Sequence, residues 1–465
     1  MNGRHWSVIG CRSVCRGTGE PSPRAGATNA VRITHRNIFF YSLGSFGTGV
    51  FSTVPAVLLL YYCTNVMHLP ALWATTIVFV PKAWAILWDP FVGAWSDRAS
   101  GPFGRRRPFL AVGAAGVAAA FFALFSPPQF STLPVIATWI GAAYFALATL
   151  YSLFAVPYIA IPPEIGFDAA ERARLVRSRM FVAMIGVLAG AGLAPLLVSG
   201  GGGGRAGYTV MAAVLASACC ICMAAPLWML RKFDAPRHTQ RTASEPSIGR
   251  QLRSVFGCRR FIWLGSSYLA MLAAIGAVTA AAPYLIIQVL GRAERDVGMA
   301  LGAMLIVTTS TIPAWSALGR RFGEHAVLAA ALVAYAMLSV ALGLNARANP
   351  SWTASLAIFA VLGAPFAAAQ VLPFTLLAHL IHDEVANRGG AEGVLTGVWT
   401  AAEKIGLALG PSLVGIALAI GGQARVAIAP FIAIVPALLA LAALVLLYLA
   451  RSPSNDAPYV CHAHQ

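Results

Sequence analysis

The sequence predicts an all-α membrane protein: twelve transmembrane helices in two six-helix halves related by a pseudo-two-fold axis. Three observations predict it. Of 465 residues, 58% are hydrophobic and 11% charged, whereas soluble domains carry about 25% charged residues. The apolar residues gather into runs of the length a bilayer demands, roughly 20 residues each. Lys and Arg are concentrated in alternate loops, the bias that sets membrane orientation.

The runs lie near 38–62, 71–94, 108–126, 133–157, 178–199 and 207–230, then 261–287, 296–316, 326–345, 352–376, 394–420 and 425–450. With the N-terminus placed in the cytoplasm, 26 of the 33 Lys and Arg residues fall inside and five outside. Lys82 and Lys404 fall within spans. Both ends of the chain are therefore expected in the cytoplasm, and the protein in the inner (plasma) membrane. Residues 1–35 read as a cytoplasmic tail, 36–230 as the first half and 231–260 as a Pro-, Ser- and Arg-rich cytoplasmic linker. Residues 261–450 read as the second half and 451–465 as a cytoplasmic tail. Ala94-Trp95-Ser96 after the second run is echoed by Ala314-Trp315-Ser316 after the eighth, as parallel six-span repeats would produce.

Several functions are excluded. The net charge of +17 sits in loops and tails, without the basic face and interleaved aromatics of a nucleic-acid partner. Cys63, Cys219, Cys220 and Cys222 stand in apolar runs as small hydrophobes. The remaining cysteines lie in tails or a loop without zinc-ligand spacing. No HExxH, paired CxxC motifs, GxSxG or Walker sequence is present, so no enzyme activity, metal or cofactor is expected. Gly200–Gly204 lacks the Lys-Ser/Thr of a phosphate cradle and reads as a turn. The expected partners are membrane lipid and a small-molecule solute.

The stretch Lys82–Pro108, KAWAILWDPFVGAWSDRASGPFGRRRP, is the most specific. Asp97 stands at a span end beside Arg98 and the triple arginine Arg105, Arg106 and Arg107. An acid there can cap a helix and pair with loop cations of the opposite half, locking one side of the protein in one state. This stretch resembles the glycoside–pentoside–hexuronide:cation symporters, a melibiose-permease-like branch of the major facilitator superfamily. Their pattern stands here as Asp89-Pro90, Gly93, Ser96-Asp97-Arg98 and Gly104–Pro108. Three further stretches agree in order: Tyr41–Gly47 with Tyr61–Thr64, then Val156–Tyr158 with Pro163-Glu164 and Glu171-Arg172, and finally Glu392-Gly393 with Lys404. The resemblance covers residues 38 to about 420. It implies a major facilitator fold, cation-coupled sugar transport and a cytoplasmic gate containing Asp97, Arg98, Arg105–Arg107, Glu164 and Arg172.

The departures are as informative. Where the family has a first acid in span 2, this chain has Ala85; its second acid is kept as Asp89, and the Asn position is Trp88. A span 4 hydroxyl is retained as Ser152, but the next acid is Ala155. The sugar-binding Asp of span 1 corresponds to Gly49, and two acids ending span 10 to His379 and His382. A sodium site needs several oxygens, so the surviving ion-coupling candidates Asp89, Ser152, His379 and His382 favour a proton over sodium, histidine titrating nearest physiological pH. Asp89 is equally readable as the static partner of Lys82 or Lys404, because intramembrane ions are generally paired.

Lys404 is a mid-span cation, disfavoured unless it faces a cavity or a partner, and the resemblance places it in the central cavity. Glu403 beside it points about 100° away on a helix. Tyr151, Arg179, Gln370, Trp399 and Thr400 complete the candidate cavity lining, suited to a polar solute by stacking and hydrogen bonding. The expected function is secondary transport of a small solute, sugar- or glycoside-like and proton-coupled. A uniporter, a carrier of lysolipids or other amphiphiles, and a non-transporting sensor are the alternatives.

Overall fold

The computed structural model of the chain describes residues 34–99, 104–129, 132–162, 169–231, 258–348, 350–388, 392–422 and 424–451. Twelve helices are long and apolar enough to cross a membrane. In the first half these are α1 His35–Leu59, α2 Ala71–Arg98, α3 Arg107–Phe125, α4 Leu133–Ile159, α5 Glu171–Gly200 and α6 Gly204–Leu230. In the second they are α7 Arg259–Val289, α8 Glu294–Phe322, α9 Glu324–Ala348, α10 Trp352–Leu380, α11 Gly397–Gly421 and α12 Val426–Arg451. Most of the expected tails and central linker lie outside the described residues. The face carrying the α2–α3 arginines is called the basic face below, and the other the opposite face.

Two boundaries differ from the hydropathy runs. The α5 helix begins a full two turns earlier than residue 178, through Arg172, Arg174 and Arg177. The α10 helix continues past residue 376 to Arg388. The added turns of α5 stay helical because Arg172, Arg174 and Arg177 are exposed at the membrane edge, where apolarity no longer reports the helix.

The neighbour scheme of the first half is repeated in the second. Helix α1 packs on α5 and α6, α2 on α4, and α3 on α4 and α6. Correspondingly α7 packs on α11 and α12, α8 on α10, and α9 on α10 and α12. Glycine makes the tightest of these crossings, since lipid offers no hydrophobic drive between helices and close packing has to supply the attraction. A Cβ at Gly49 of α1 would strike the Ala183 carbonyl of α5, and one at Gly186 of α5 the Phe46 carbonyl of α1. In the second half the equivalent crossing sets Gly276 of α7 against Gly410 of α11. Gly49, matched by resemblance to a sugar-binding aspartate, is thus a packing position that cannot hold a side chain.

The halves meet toward the opposite face. Here the helices are locally rewound into π turns at Pro55–Leu59, Tyr62–Val66, Ala189–Leu193 and Tyr284–Val289. Pro55 opens the first of them and Pro283 immediately precedes the last, each removing a backbone donor and loosening the ladder. The rewound ends of α1 and α7 meet: the rings of Tyr61 and Tyr284 lie edge to face at 5.1 Å. Thr64 Oγ1 and the Tyr284 hydroxyl share a hydrogen bond of 2.6 Å, and Gln288 donates to Asn65. Gly298 of α8 approaches the Gly192 carbonyl of α5 too closely for any Cβ, and Gly415 of α11 accepts Thr75 of α2 in the same way. The opposite face is sealed.

Candidate substrate and ion-coupling site

Below that seal, polar side chains from both halves converge at one depth. Tyr151, Arg179 and Tyr268 stand roughly two to three turns from the basic-face ends of their helices, as do Trp399 and Glu403 on α11, whose helix extends back to Glu392. Helices α2 and α11 carry the central charges. The Lys404 ammonium of α11 forms an ion pair with Asp89 Oδ2 of α2, both side chains mostly buried. The other oxygen, Asp89 Oδ1, is buried without a hydrogen-bond partner. Lys82, one and a half to two turns earlier on α2, instead donates to the Leu407 carbonyl of α11 at 3.3 Å. Of the two partners open to Asp89 in the sequence, the fold selects Lys404.

In the first half the polar groups interlock. The Tyr41 hydroxyl donates to the Tyr158 carbonyl at 3.1 Å, and the Tyr158 hydroxyl shares a bond of 2.9 Å with Ser45 Oγ. Ser42 Oγ donates to Ser178 Oγ at 2.8 Å, tying α1 to α5. The Arg179 guanidinium lies over the Tyr158 ring, 5.8 Å from its centre, attracted by the negative face of the ring. Tyr151, half-buried on α4, reaches the Thr48 carbonyl at 3.5 Å.

In the second half two ring groups beside the site stand out. The indole of Trp399 stacks on Tyr268 at 4.3 Å with an interplanar angle of 11°, and Phe261 and Phe374 flank it. Trp399 Nε1 and the Tyr268 hydroxyl are both buried and within reach of each other, but the stacked rings misalign them, and neither makes a well-formed hydrogen bond among the described residues. Such orphans are rare in native structures and mark places where a ligand or water completes the bonding.

The other candidates are placed as follows. Ser152 is 2% exposed and donates to the Ala148 carbonyl of its own helix at 3.1 Å, so its hydroxyl is turned into α4. His379 lies at the basic-face end of α10, 70% exposed, with Nδ1 3.2 Å from Glu324 Oε2; it is remote from Asp89. The side chain of His382 lies outside the description. Gln370 is half-buried on α10, whereas Thr400 is exposed. Trp399, expected to line an open cavity, is 1% exposed; the stack with Tyr268 closes over it.

The gate expectation needs one correction. Asp97 Oδ1 bonds Arg106 Nη2 at 3.0 Å, so its partner belongs to its own half. Asp97 ends α2 and Arg106 stands at the start of α3, so in this conformation the pair closes within one half. Arg106 also donates to the Pro157 carbonyl at 3.5 Å, pinning α3 to α4. Arg98 and Arg172 are exposed, Arg105 and Arg107 half-buried, and Glu164 lies outside the described residues. Glu324 with His379 makes the corresponding α9–α10 contact in the second half.

Sequence reasoning set Glu403 aside because it turns away from Lys404. That rotation is what presents it to another surface: it lies within electrostatic reach of Tyr151 of α4 and Tyr268 of α7. A mid-span glutamate is itself a signal, being costly in a bilayer without a function.

Two paired six-helix halves, a sealed face and a charged centre define a secondary-transporter architecture. The solved structure of a D-xylose-proton symporter matches with a TM-score of 0.65 at 15% identity, covering 89% of this chain and 97% of that one. A mutant form of the nucleoside transporter NupG matches with a TM-score of 0.68 at 13% identity, covering 90% and 100%. The family described as "MFS/sugar transport protein" matches over residues 40–452, and the chain belongs to it. The putative glycoside/cation symporter YagG of Escherichia coli (strain K12) is 26% identical, over 83% of each chain. The isoprimeverose transporter of Lactiplantibacillus pentosus is 23% identical, over 87% of this chain and 84% of that one. The chain is a multi-pass plasma-membrane protein and a secondary transporter of small solutes, not an enzyme.

Proposed function

We propose that the chain moves a sugar- or glycoside-like solute together with a proton by alternating access of its halves, the basic face and both termini lying in the cytoplasm. The observation that carries this reading is the Asp89–Lys404 ion pair, which joins the halves at the depth of the other polar groups. Helices α2 and α11 also touch at Thr75 and Gly415 near the seal. Opening the opposite face therefore has to disturb a mostly buried ion pair. Separating buried charges is strongly unfavourable unless each finds a substitute partner. A polar solute supplies acceptors for Lys404, and a proton taken up by the acidic groups of the site offsets negative charge there. Loading both lowers the barrier to rearrangement, which is the logic of coupling.

The donor set supports a proton over sodium. A sodium ion needs several converging oxygens, yet Ala85 and Ala155 supply none beside Asp89 and the Ser152 hydroxyl bonds its own helix. The Lys and Arg bias supports the cytoplasmic assignment of the basic face. The names of the relatives, a glycoside/cation symporter and an isoprimeverose transporter, support the solute class.

A second reading, transport of an amphiphile, is favoured by an aromatic ladder on α2. Trp84 stacks on Trp88 at 5.6 Å and Trp88 on Phe91 at 5.0 Å, directly beside Asp89. Such a track accommodates an acyl chain.

The test is solute-triggered pH change in energised proteoliposomes holding the full chain, screened with pentosides, glucosides, hexuronides and lysolipids. Proton movement with a glycoside, abolished by Lys404→Ala, supports the proposal. Movement with lysolipid alone supports the amphiphile, solute entry without protons a uniporter, and saturable binding without flux a sensor.

A further inference from the structure

Four acidic or basic groups besides Glu403 stand within the spans at the depth of the site, and each has an engagement. Asp89 and Lys404 hold one another. Lys82 is bonded to the Leu407 carbonyl. Arg179 rests on the Tyr158 ring. Glu403 has none: among the described residues no cation lies within ion-pair distance of it and no donor bonds it. Yet it is only half-exposed in an apolar span. Removing an unpaired carboxylate from water is among the largest penalties a fold can carry.

Every element packed near Glu403 can be surveyed for a counter-charge. Helix α2 presents Lys82 and Asp89, both engaged with α11 as above. Helix α4 presents Tyr151 and α7 presents Tyr268, which are neutral hydroxyls. Helix α5 presents Arg179 across the gap, with Tyr151 between them and in electrostatic reach of both. Helix α1 offers Tyr41, committed to the Tyr158 carbonyl. Helix α10 carries His379 at its far end, paired with Glu324, and α12 has no ionisable side chain at this depth. Lys404, the neighbour on the same helix, is held by Asp89. A proton is the partner left to neutralise Glu403.

The position suits a carrier. Glu403 lies one turn beyond Trp399 on α11, so the carboxyl, the orphaned indole N–H and the orphaned Tyr268 hydroxyl form one unsatisfied polar patch on the second half. Glu403 is partly buried rather than enclosed, and it lies on the basic-face side of the contacts that close the opposite face. A proton bound while the site opens to one side and released while it opens to the other needs a carboxyl that no fixed cation competes for.

We propose that Glu403, rather than Asp89, is the group that carries the coupled proton. The step is simple: the Glu403 carboxylate takes one proton on one side of the membrane and returns it as the carboxylate on the other. The Asp89–Lys404 pair keeps both charges and transmits the closure between halves. This inference rests on the proton-coupled reading above, but its test does not require the solute to be known.

The test is infrared titration of the full chain in lipid nanodiscs, following the C=O stretch of a protonated carboxyl that shifts on exchange into D2O. Wild type is expected to show a titrating band that Glu403→Gln abolishes and Asp89→Asn leaves in place. Glu403→Asp is expected to retain a displaced band, which separates loss of the carboxyl from loss of the fold. A band that survives in Glu403→Gln, whether or not Asp89→Asn removes it, overturns the proposal. If no proteoliposome experiment finds flux while this band behaves as expected, the transport reading fails and the proton site stands.

Discussion

The two halves are built on one helix scheme, yet the aromatic groups beside the site are bonded differently in each. In the first half Tyr41, Ser42, Ser45 and Tyr158 bond one another and neighbouring backbone, and Arg179 rests on an aromatic face. In the second half Tyr268 and Trp399 stack closely but their hydroxyl and N–H make no well-formed bond, and Glu403 has no counter-ion among the described residues. A satisfied network gains nothing from a ligand, whereas an unsatisfied one gains each bond the ligand makes. The contrast teaches that a repeated fold need not repeat its polar bonding: the proposed binding surface draws its unbonded ring groups from the second half and its bonded ones from the first.

The sharpest way to break that comparison is at the bond joining the halves. Asp89→Asn leaves the Lys404 ammonium without its carboxylate partner and is expected to lower stability by about 3 kcal/mol, the scale for removing one partner of a buried pair. Thermal unfolding of the purified chain in detergent would measure it. The double variant Asp89→Asn with Lys404→Met should recover most of the loss; if it does not, the pair is not what the single change destroyed.

A smaller effect is expected at the reciprocal glycine crossings. Gly186→Leu must push α1 and α5 apart and is expected to cost about 1–3 kcal/mol, as overpacking does. Gly410→Leu should do the same between α7 and α11. Equal losses in thermal stability would show that the scaffold is symmetric and only the polar surface is not.

The smallest effect separates the halves most finely. Tyr158→Phe removes a bonded hydroxyl and is expected to destabilise by about 1 kcal/mol, while Tyr268→Phe removes an orphaned one and should be neutral or slightly stabilising. The same Tyr268→Phe variant is expected to weaken solute binding, read by calorimetry with the solute found in the proteoliposome screen. Destabilisation by both variants alike would mean that the second half's hydroxyl has a partner after all.

Much was legible in the residues alone. Apolar run length sets the number of spans, because a bilayer demands about 20 residues for each crossing. The Lys and Arg bias predicts which loops share a face, and the stretch Lys82–Pro108 carries the family. The candidate charges Asp89 and Lys404 stood out by cost, since an ion in a span requires a reason.

What lay beyond the sequence were the pairings, and each has a physical cause. Lys82 and Lys404 were equal claimants for Asp89 until the packing of α2 on α11 set the register. Asp97 was readable as a partner for either half, and the structure pairs it with Arg106 at the start of α3. Gly49 was readable as a lost ligand, and only the approach of α5 shows that no side chain fits there. The π turns at Pro55 and Tyr284 rotate the ends of α1 and α7 into contact without any periodicity that a hydropathy reading detects. Composition and spacing are local and additive, so the chain alone determined how many helices cross the membrane. Which charge finds a partner, and that Glu403 finds none, depends on distances between helices far apart in sequence, and those only the tertiary structure decided.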